Sequence, residues 1–174
     1  SAPDPLNKPV LTIDGGGTLG VFHSINKTGG SVIGRNGTLR MAGNNAFRMI
    51  IPANLFVDNA LGNLIVGVSN GHSGEVELAG PLDIYRSLTF TLTNQTLFTN
   101  DYLTFKSTAT ETAWLGNMTR RTIVGNATVE RYIGTGVTAP LHQKSWQLLS
   151  VPVTGSQTVK AAWQEGAATP NANP

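Results

Sequence analysis

The chain has 174 residues, of which only 13% are charged, and its formal net charge at pH 7 is +2. Cations so few and so scattered argue against a nucleic-acid partner, and no apolar run reaches the roughly 18 residues of a membrane-spanning helix. The sequence has no cysteine, which excludes a disulfide framework and thiolate metal sites. At this length we expect one domain, or one domain with part of another.

The polar part of the sequence is rich in three residue types, with 21 Thr, 15 Asn and 20 Gly. Threonine is β-branched yet polar and therefore suits an exposed strand face, while Asn and Gly tolerate the left-handed backbone conformations of tight corners. This composition is typical of secreted β-rich surface proteins. The first ten residues contain three prolines and no leader pattern, so we expect an extended lead-in and a signal peptide that is absent or already removed.

Short strands are predicted from the start of the chain, at Val10–Ile13, Leu19–Ile25, Ser31–Ile33 and Thr38–Ala42. The pair Asn36-Gly37 between the last two favours a type I′ turn, which predicts a hairpin in this part of the chain. Residues 47–57 are denser in apolar side chains. They predict either two buried strands around Pro52 or a short helix that covers the open end of a repeat array.

From Leu39 to Ile133, apolar residues alternate with polar ones at a period of two, and Gly, Asn and Asp separate the short runs. This pattern predicts strands with one buried face. The runs also recur at a longer spacing, which is 25 residues from Leu39 to Leu64, 18 from Leu64 to Leu82 and 21 from Leu82 to Leu103. A repeat of about 20 residues per strand and corner predicts an all-β solenoid, a right-handed parallel β-helix.

The composition and the repeat pattern of the sequence change after Gly134. Residues 134–140 resemble a linker, and an apolar strand and a short turn with one Trp each, Trp146 and Trp163, follow. About 40 residues cannot bury a core of their own. We therefore predict a solenoid domain over residues 1–134, and over 135–174 a linker with an incomplete second β module, or a segment docked onto the solenoid.

Four segments in this region form an ordered set: DYLTFKSTATETAWLG at 101–116, IVGNATVERYI at 123–133, SWQLLSVPV at 145–153 and AWQEG at 162–166. The set resembles part of the exported multi-repeat adhesin-like surface proteins of Bacteroidota, which are type IX secretion substrates. It resembles the region between their β-helical repeats and the C-terminal sorting domain. The resemblance covers residues 97–168, and residues 1–96 are similar only in composition and rhythm.

The resemblance implies an extracellular or cell-surface location, a structural or adhesive task, and a chain that is part of a longer polypeptide. It supplies no catalytic, cofactor-binding or metal-binding residues, and we predict none, so the protein is expected not to be an enzyme. Its expected partner is a surface glycan or another extracellular molecule. Among the aromatic residues, Trp114 beside the turn at Gly116-Asn117 is the candidate for stacking on a sugar.

A second hypothesis is a carbohydrate-binding or polysaccharide-cleaving β-helix module, because Asp83 and Asp101 lie one repeat apart with Arg86 and Lys106 nearby. A third is a trimeric capsid or tail-fibre solenoid. The pairs Asp58-Asn59 and Asn100-Asp101 offer oxygen atoms to Ca²⁺ but do not follow the pattern of a Ca²⁺-binding loop. The three histidines, His23, His72 and His142, lack a second ligand at metal spacing and are interpreted as structural.

Overall fold

A computed structural model describes residues 8–43, 47–67 and 74–132 of the chain. These residues form twelve β-strands and no helix. The strands are β1 Val10–Thr12, β2 Thr18–Val21, β3 Ser31–Met41, β4 Met49–Ile51, β5 Phe56–Val66, β6 Glu75–Leu78, β7 Leu82–Phe90, β8 Gln95–Phe98, β9 Leu103–Phe105, β10 Trp114–Leu115, β11 Arg121–Val124 and β12 Ala127–Val129.

Every pairing between these strands is parallel, and they stack as a solenoid of about five turns. One sheet has the order β1-β3-β5-β7-β9-β12, with β2 paired to β3 and β10 paired to β7, and the other has the order β11-β8-β6-β4. In each of the long strands β3, β5 and β7 the pairing register shifts midway, and the strand bends there at a corner. The halves before and after this corner form two adjoining parts of the first sheet, which we call its two faces. The predicted all-β parallel β-helix is confirmed.

Apolar side chains of successive turns lie in register and fill the centre of the solenoid. Val21, Met41, Val66 and Phe90 form one such row, and each is at most 9% exposed. The polar residues between them point outward, as the period of two predicts. Stacking identical faces in this way buries a continuous core although each turn alone has almost none.

Two of the three register pairs that the spacing of the apolar runs predicted are present in the structure. Leu39 lies beside Leu64, and Leu82 lies beside Leu103. The step from Leu64 to Leu82 is wrong, because Leu64 pairs with Leu88 while Leu82 belongs to the neighbouring face, on which Ala60 and Leu61 lie beside Asp83 and Ile84.

Corners of the solenoid use left-handed backbone conformations, as expected from the abundance of Asn and Gly. Positive φ angles occur at the Asx residues Asn54, Asp58, Asn59, Asn94, Asn100 and Asp101. The hairpin predicted at Asn36-Gly37 is wrong, since both residues lie inside β3, which pairs in parallel with β1, β2 and β5. Gly37 is needed there for a different reason: a Cβ added to it would lie 2.4 Å from the Ile13 carbonyl oxygen of the turn below.

A ladder of polar side chains follows one corner of the first sheet. The Asn63 amide donates to Thr38 Oγ1 at 3.2 Å, and Ser87 Oγ donates to Asn63 Oδ1 at 2.8 Å. Thr38 and Ser87 are 7% and 8% exposed, so the bonds between turns satisfy groups that water barely reaches. The corner therefore stacks in register through hydrogen bonds as well as apolar contacts.

The region 47–57 forms two strand segments on either side of Pro52, β4 and the start of β5, which is one of the two predicted alternatives. All described residues belong to one compact unit, Ser1–Gly134, and the second unit, Thr135–Pro174, lies outside the described residues. The predicted linker and second module, with Trp146 and Trp163, stay predictions. In the described part of the chain, no helix is long and apolar enough to span a membrane.

Candidate functional site

Trp114 lies on β10, the outermost described strand of its face, where it is in register with Ser87 of β7. Its side chain is 57% exposed. No described strand pairs with the other edge of β10. An exposed indole on a rigid strand can stack on the apolar face of a sugar ring. The structure therefore places the predicted glycan-contact residue where a ligand can reach it.

Near the corner shared by the two faces of the first sheet, Glu111 is held between two arginines. Arg35 donates to Glu111 Oε1, and Arg86 Nε donates to Glu111 Oε2 at 3.2 Å. The Arg35 guanidinium also stacks on the Tyr85 ring, 3.4 Å from its centroid. The hydrogen bond from Arg35, with a smaller contribution from Arg86, lowers the pKa of the Glu111 carboxyl.

A second ionic cluster on the first sheet consists of Lys106 and two acidic residues, Glu130 and Asp83. Lys106 Nζ donates to Glu130 Oε1 and lies 3.9 Å from Asp83 Oδ2. The bond to Glu130 raises the pKa of Lys106, and the bond from Lys106 lowers the pKa of Glu130. Glu130 therefore stays ionised next to a cation and is poorly suited to donating a proton.

The residues of the second hypothesis, Asp83 and Asp101 with Arg86 and Lys106, are only partly brought together. Asp83 meets Lys106, but Asp101 accepts a 2.7 Å hydrogen bond from the Asn126 backbone N–H at a corner. Arg86 is engaged with Glu111 and with the Asn36 carbonyl. Asp83 and Asp101 therefore contact different partners, and Asp83 is in register with Thr104 rather than with Asp101.

The second sheet carries a third ionic cluster. Arg48 donates from Nε to Glu75 at 3.1 Å and from Nη1 to Glu77 at 2.8 Å, and its guanidinium lies 3.7 Å from the centroid of the Phe98 ring. Asn100 Nδ2 donates to Glu77 at 2.9 Å. The bond from Arg48 first, then that from Asn100, lowers the pKa of Glu77.

Sequence reasoning missed the Arg35/Glu111 and Arg48/Glu77 clusters and anticipated only Asp83 and Lys106 of the remaining one, because the members of each cluster are distant in the chain. Arg35 and Glu111 are 76 residues apart, and Arg48 and Glu77 are 29 apart. The sequence feature that could have predicted these contacts is the repeat of the solenoid, which brings residues about one turn apart onto neighbouring strands. To use this repeat, the register of the strands after each corner would have to be known.

One of the two oxygen-rich corners proposed for Ca²⁺, Asn100-Asp101, makes hydrogen bonds to other turns of the solenoid. Asn100 donates from Nδ2 to the Leu78 carbonyl at 2.9 Å, and Asp101 supports Asn126 of the next turn. Within the residues that the structure describes, no group of three or more His, Cys, Asp or Glu is arranged to hold a metal ion. His23 is exposed, and His72 and His142 lie outside the described residues.

Comparison with protein-family models, with curated proteins and with solved structures finds no match to this chain. The fold and the arrangement of its side chains are therefore the basis for assigning a function.

Proposed function

We propose that this chain is a non-catalytic structural and adhesive segment of an exported cell-surface protein. The observation that carries the proposal is the stack of about five parallel turns with a continuous apolar core. In such a stack each turn is fixed by its neighbours, which makes the solenoid a stiff spacer and presents its outer faces as extended surfaces.

The chemistry of the acidic residues supports a non-catalytic role. A general acid needs a carboxyl pKa raised toward neutrality. Glu77, Glu111 and Glu130 have the opposite shift, because Arg48, Arg35 and Lys106 respectively hold them in the ionised state. These surface ion pairs link different turns of the solenoid and leave none of the three carboxylates as a reactive group.

The proposed location rests on the low charge content, the excess of Thr and Asn, and the resemblance of residues 97–168 to exported adhesin-like proteins of Bacteroidota. Brief protease treatment of intact cells that produce the protein tests it. We expect peptides of this chain in the supernatant while a cytoplasmic marker stays inside the cells. Release only after the cells are lysed would contradict surface display.

Carbohydrate binding is the second candidate function, and the 57% exposed indole of Trp114 favours it. The stacking of a sugar on an exposed aromatic ring is lost when the ring is removed. We therefore expect Trp114→Ala to weaken binding to a glycan array by about tenfold or more. Tyr102→Ala is the matched control, because Tyr102 is also exposed, at 42%, but directly precedes β9, which pairs with the first half of β7 while β10 pairs with the second half. Equal binding by both variants would exclude Trp114 as the contact residue.

A further inference from the structure

An open cleft of about 630 Å³ lies at the start of β8 and β11 on the second sheet. Its lining consists of Asn94, Thr96, Arg120, Arg121 and Thr122. Thr96 and Thr122 are register partners on the two strands. The described lining thus combines two cations with three neutral hydrogen-bonding side chains and contains no carboxylate.

Arg121 is fixed in place without being neutralised. Its Nε donates to the Leu92 carbonyl at 2.9 Å, and its Nη1 donates to the carbonyls of Asn117 and Thr119 at 3.2 and 3.3 Å. A guanidinium has five N–H groups, and among the described residues both hydrogens of Nη2 have no acceptor, which leaves them available to a ligand. Carbonyl oxygens carry no formal charge, and the half-buried cation keeps its attraction for an anion.

Arg120 has a backbone conformation that its residue type disfavours. Its φ is +56°, and it is the only described residue with positive φ that is neither Gly, Asn nor Asp. The equivalent corner one turn earlier uses Asn94, with φ +60°, and the Asn94 N–H donates to the Arg120 carbonyl at 2.6 Å. Asparagine adopts this conformation readily, whereas a non-glycine, non-Asx residue held there is costly and typical of binding sites.

The Arg120 guanidinium is exposed and has no hydrogen-bond or ion-pair partner among the described residues. The carboxylate closest in register is Glu75, which lies beside Thr96 and is already paired with Arg48. The corner therefore carries two positive charges that no carboxylate of the described residues pairs with. This contrasts with Arg35, Arg48, Arg86 and Lys106, which all meet acids.

We infer that this cleft, the Arg120/Arg121 cleft, binds a carboxylate or sulfate group of an acidic polysaccharide. Two arginines match one anionic group, and the Asn94, Thr96 and Thr122 side chains match the hydroxyl groups of the sugar that bears it. A nucleic-acid surface would need more cations, since affinity for DNA comes largely from neutralising several phosphates at once. The inference deepens the adhesive part of the proposed function, on which it rests, by naming the ligand chemistry.

Binding of dextran sulfate, oligogalacturonate and uncharged dextran, measured by calorimetry at low ionic strength, tests the inference. We expect the two acidic polymers to bind and uncharged dextran not to bind. Arg120→Asn should weaken binding about tenfold, because it removes charged hydrogen bonds but keeps the left-handed corner. Arg120→Lys should retain part of the affinity. Arg40→Gln, which removes an exposed cation on the other sheet, should change it less than about twofold.

Three outcomes would overturn the inference: neither acidic polymer binds, Arg40→Gln weakens binding as much as Arg120→Asn, or inorganic sulfate or single-stranded DNA binds as tightly as the polysaccharides. Circular dichroism of each variant verifies that the solenoid is folded. Glycan binding that depends on Trp114 but not on Arg120 would refute this site while leaving the adhesive function intact. Protease treatment of intact cells tests the proposed function independently of both.

Discussion

Leu64→Ala is expected to destabilise the solenoid by about 2–5 kcal/mol, the usual cost of truncating a fully buried leucine. Leu64 is in the middle of a row whose register partners are Leu39 and Leu88, and all three are 0% exposed. The truncation leaves a cavity that neighbouring turns cannot easily fill, because their backbones are held by the hydrogen bonds of the parallel sheet. Chemical denaturation followed by far-UV circular dichroism measures the loss.

Two control variants separate the cavity from other effects of substitution at this strand. Leu64→Met conserves volume and should cost less than about 1.5 kcal/mol. Ile65→Ala alters the next residue, which is partly exposed on the outer side of β5, and should cost clearly less than Leu64→Ala. Equal losses in Leu64→Ala and Ile65→Ala would contradict the alternation of inward and outward side chains.

Gly62→Ala is expected to cost about 1–3 kcal/mol, because the added methyl group would collide with backbone atoms of the turn below. Its Cβ would lie 2.6 Å from the Gly37 carbonyl oxygen and 2.9 Å from the Arg35 carbonyl oxygen. A flexible side chain could move aside, but these two atoms belong to β3 and move only with that strand. The thermal unfolding midpoint, compared with that of the unchanged protein, measures the effect.

Gly29→Ala is the matched control for this prediction. No atom lies within 4 Å of the Cβ that it would add, and neither Gly29 nor Gly62 has a positive φ. The two substitutions therefore change the backbone entropy of the unfolded chain in the same way and differ in the space available. We expect Gly29→Ala to stay within about 0.5 kcal/mol of the unchanged protein. A Gly62→Ala variant of similar stability would show that the stacked corner is looser than these distances indicate.

The two stability predictions concern the scaffold, and the Arg120 and Trp114 experiments concern the surface that it presents. Both surface residues lie on strands or corners of the last described turn, Trp114 on β10 and Arg120 directly before β11. They belong to different sheets, so the two candidate binding sites can be tested with separate variants. Loss of binding at one should leave the other unchanged, provided that the solenoid remains folded.

Local patterns in the sequence determined the class of the fold and many of its details. A period of two gives each short run one buried face, and Asn and Gly at the breaks allow left-handed corners such as Asn94 and Asn100. These signals act between near neighbours in the chain, which is why the parallel β-helix and the pairs Leu39–Leu64 and Leu82–Leu103 could be predicted. Trp114 was identified in the same way, as an aromatic residue beside a turn.

The tertiary structure alone decided which residues of different turns meet. Register partners are 20 residues apart at Thr18 and Thr38 but 27 apart at Leu88 and Leu115, because the corners between strands differ in length. Alternation gives no information about corner length, so the pairing of Arg35 with Glu111 and the unmatched charges of the Arg120/Arg121 cleft could not be predicted. The register is chosen by the burial of whole rows of apolar side chains, a sum over distant residues that no local pattern contains.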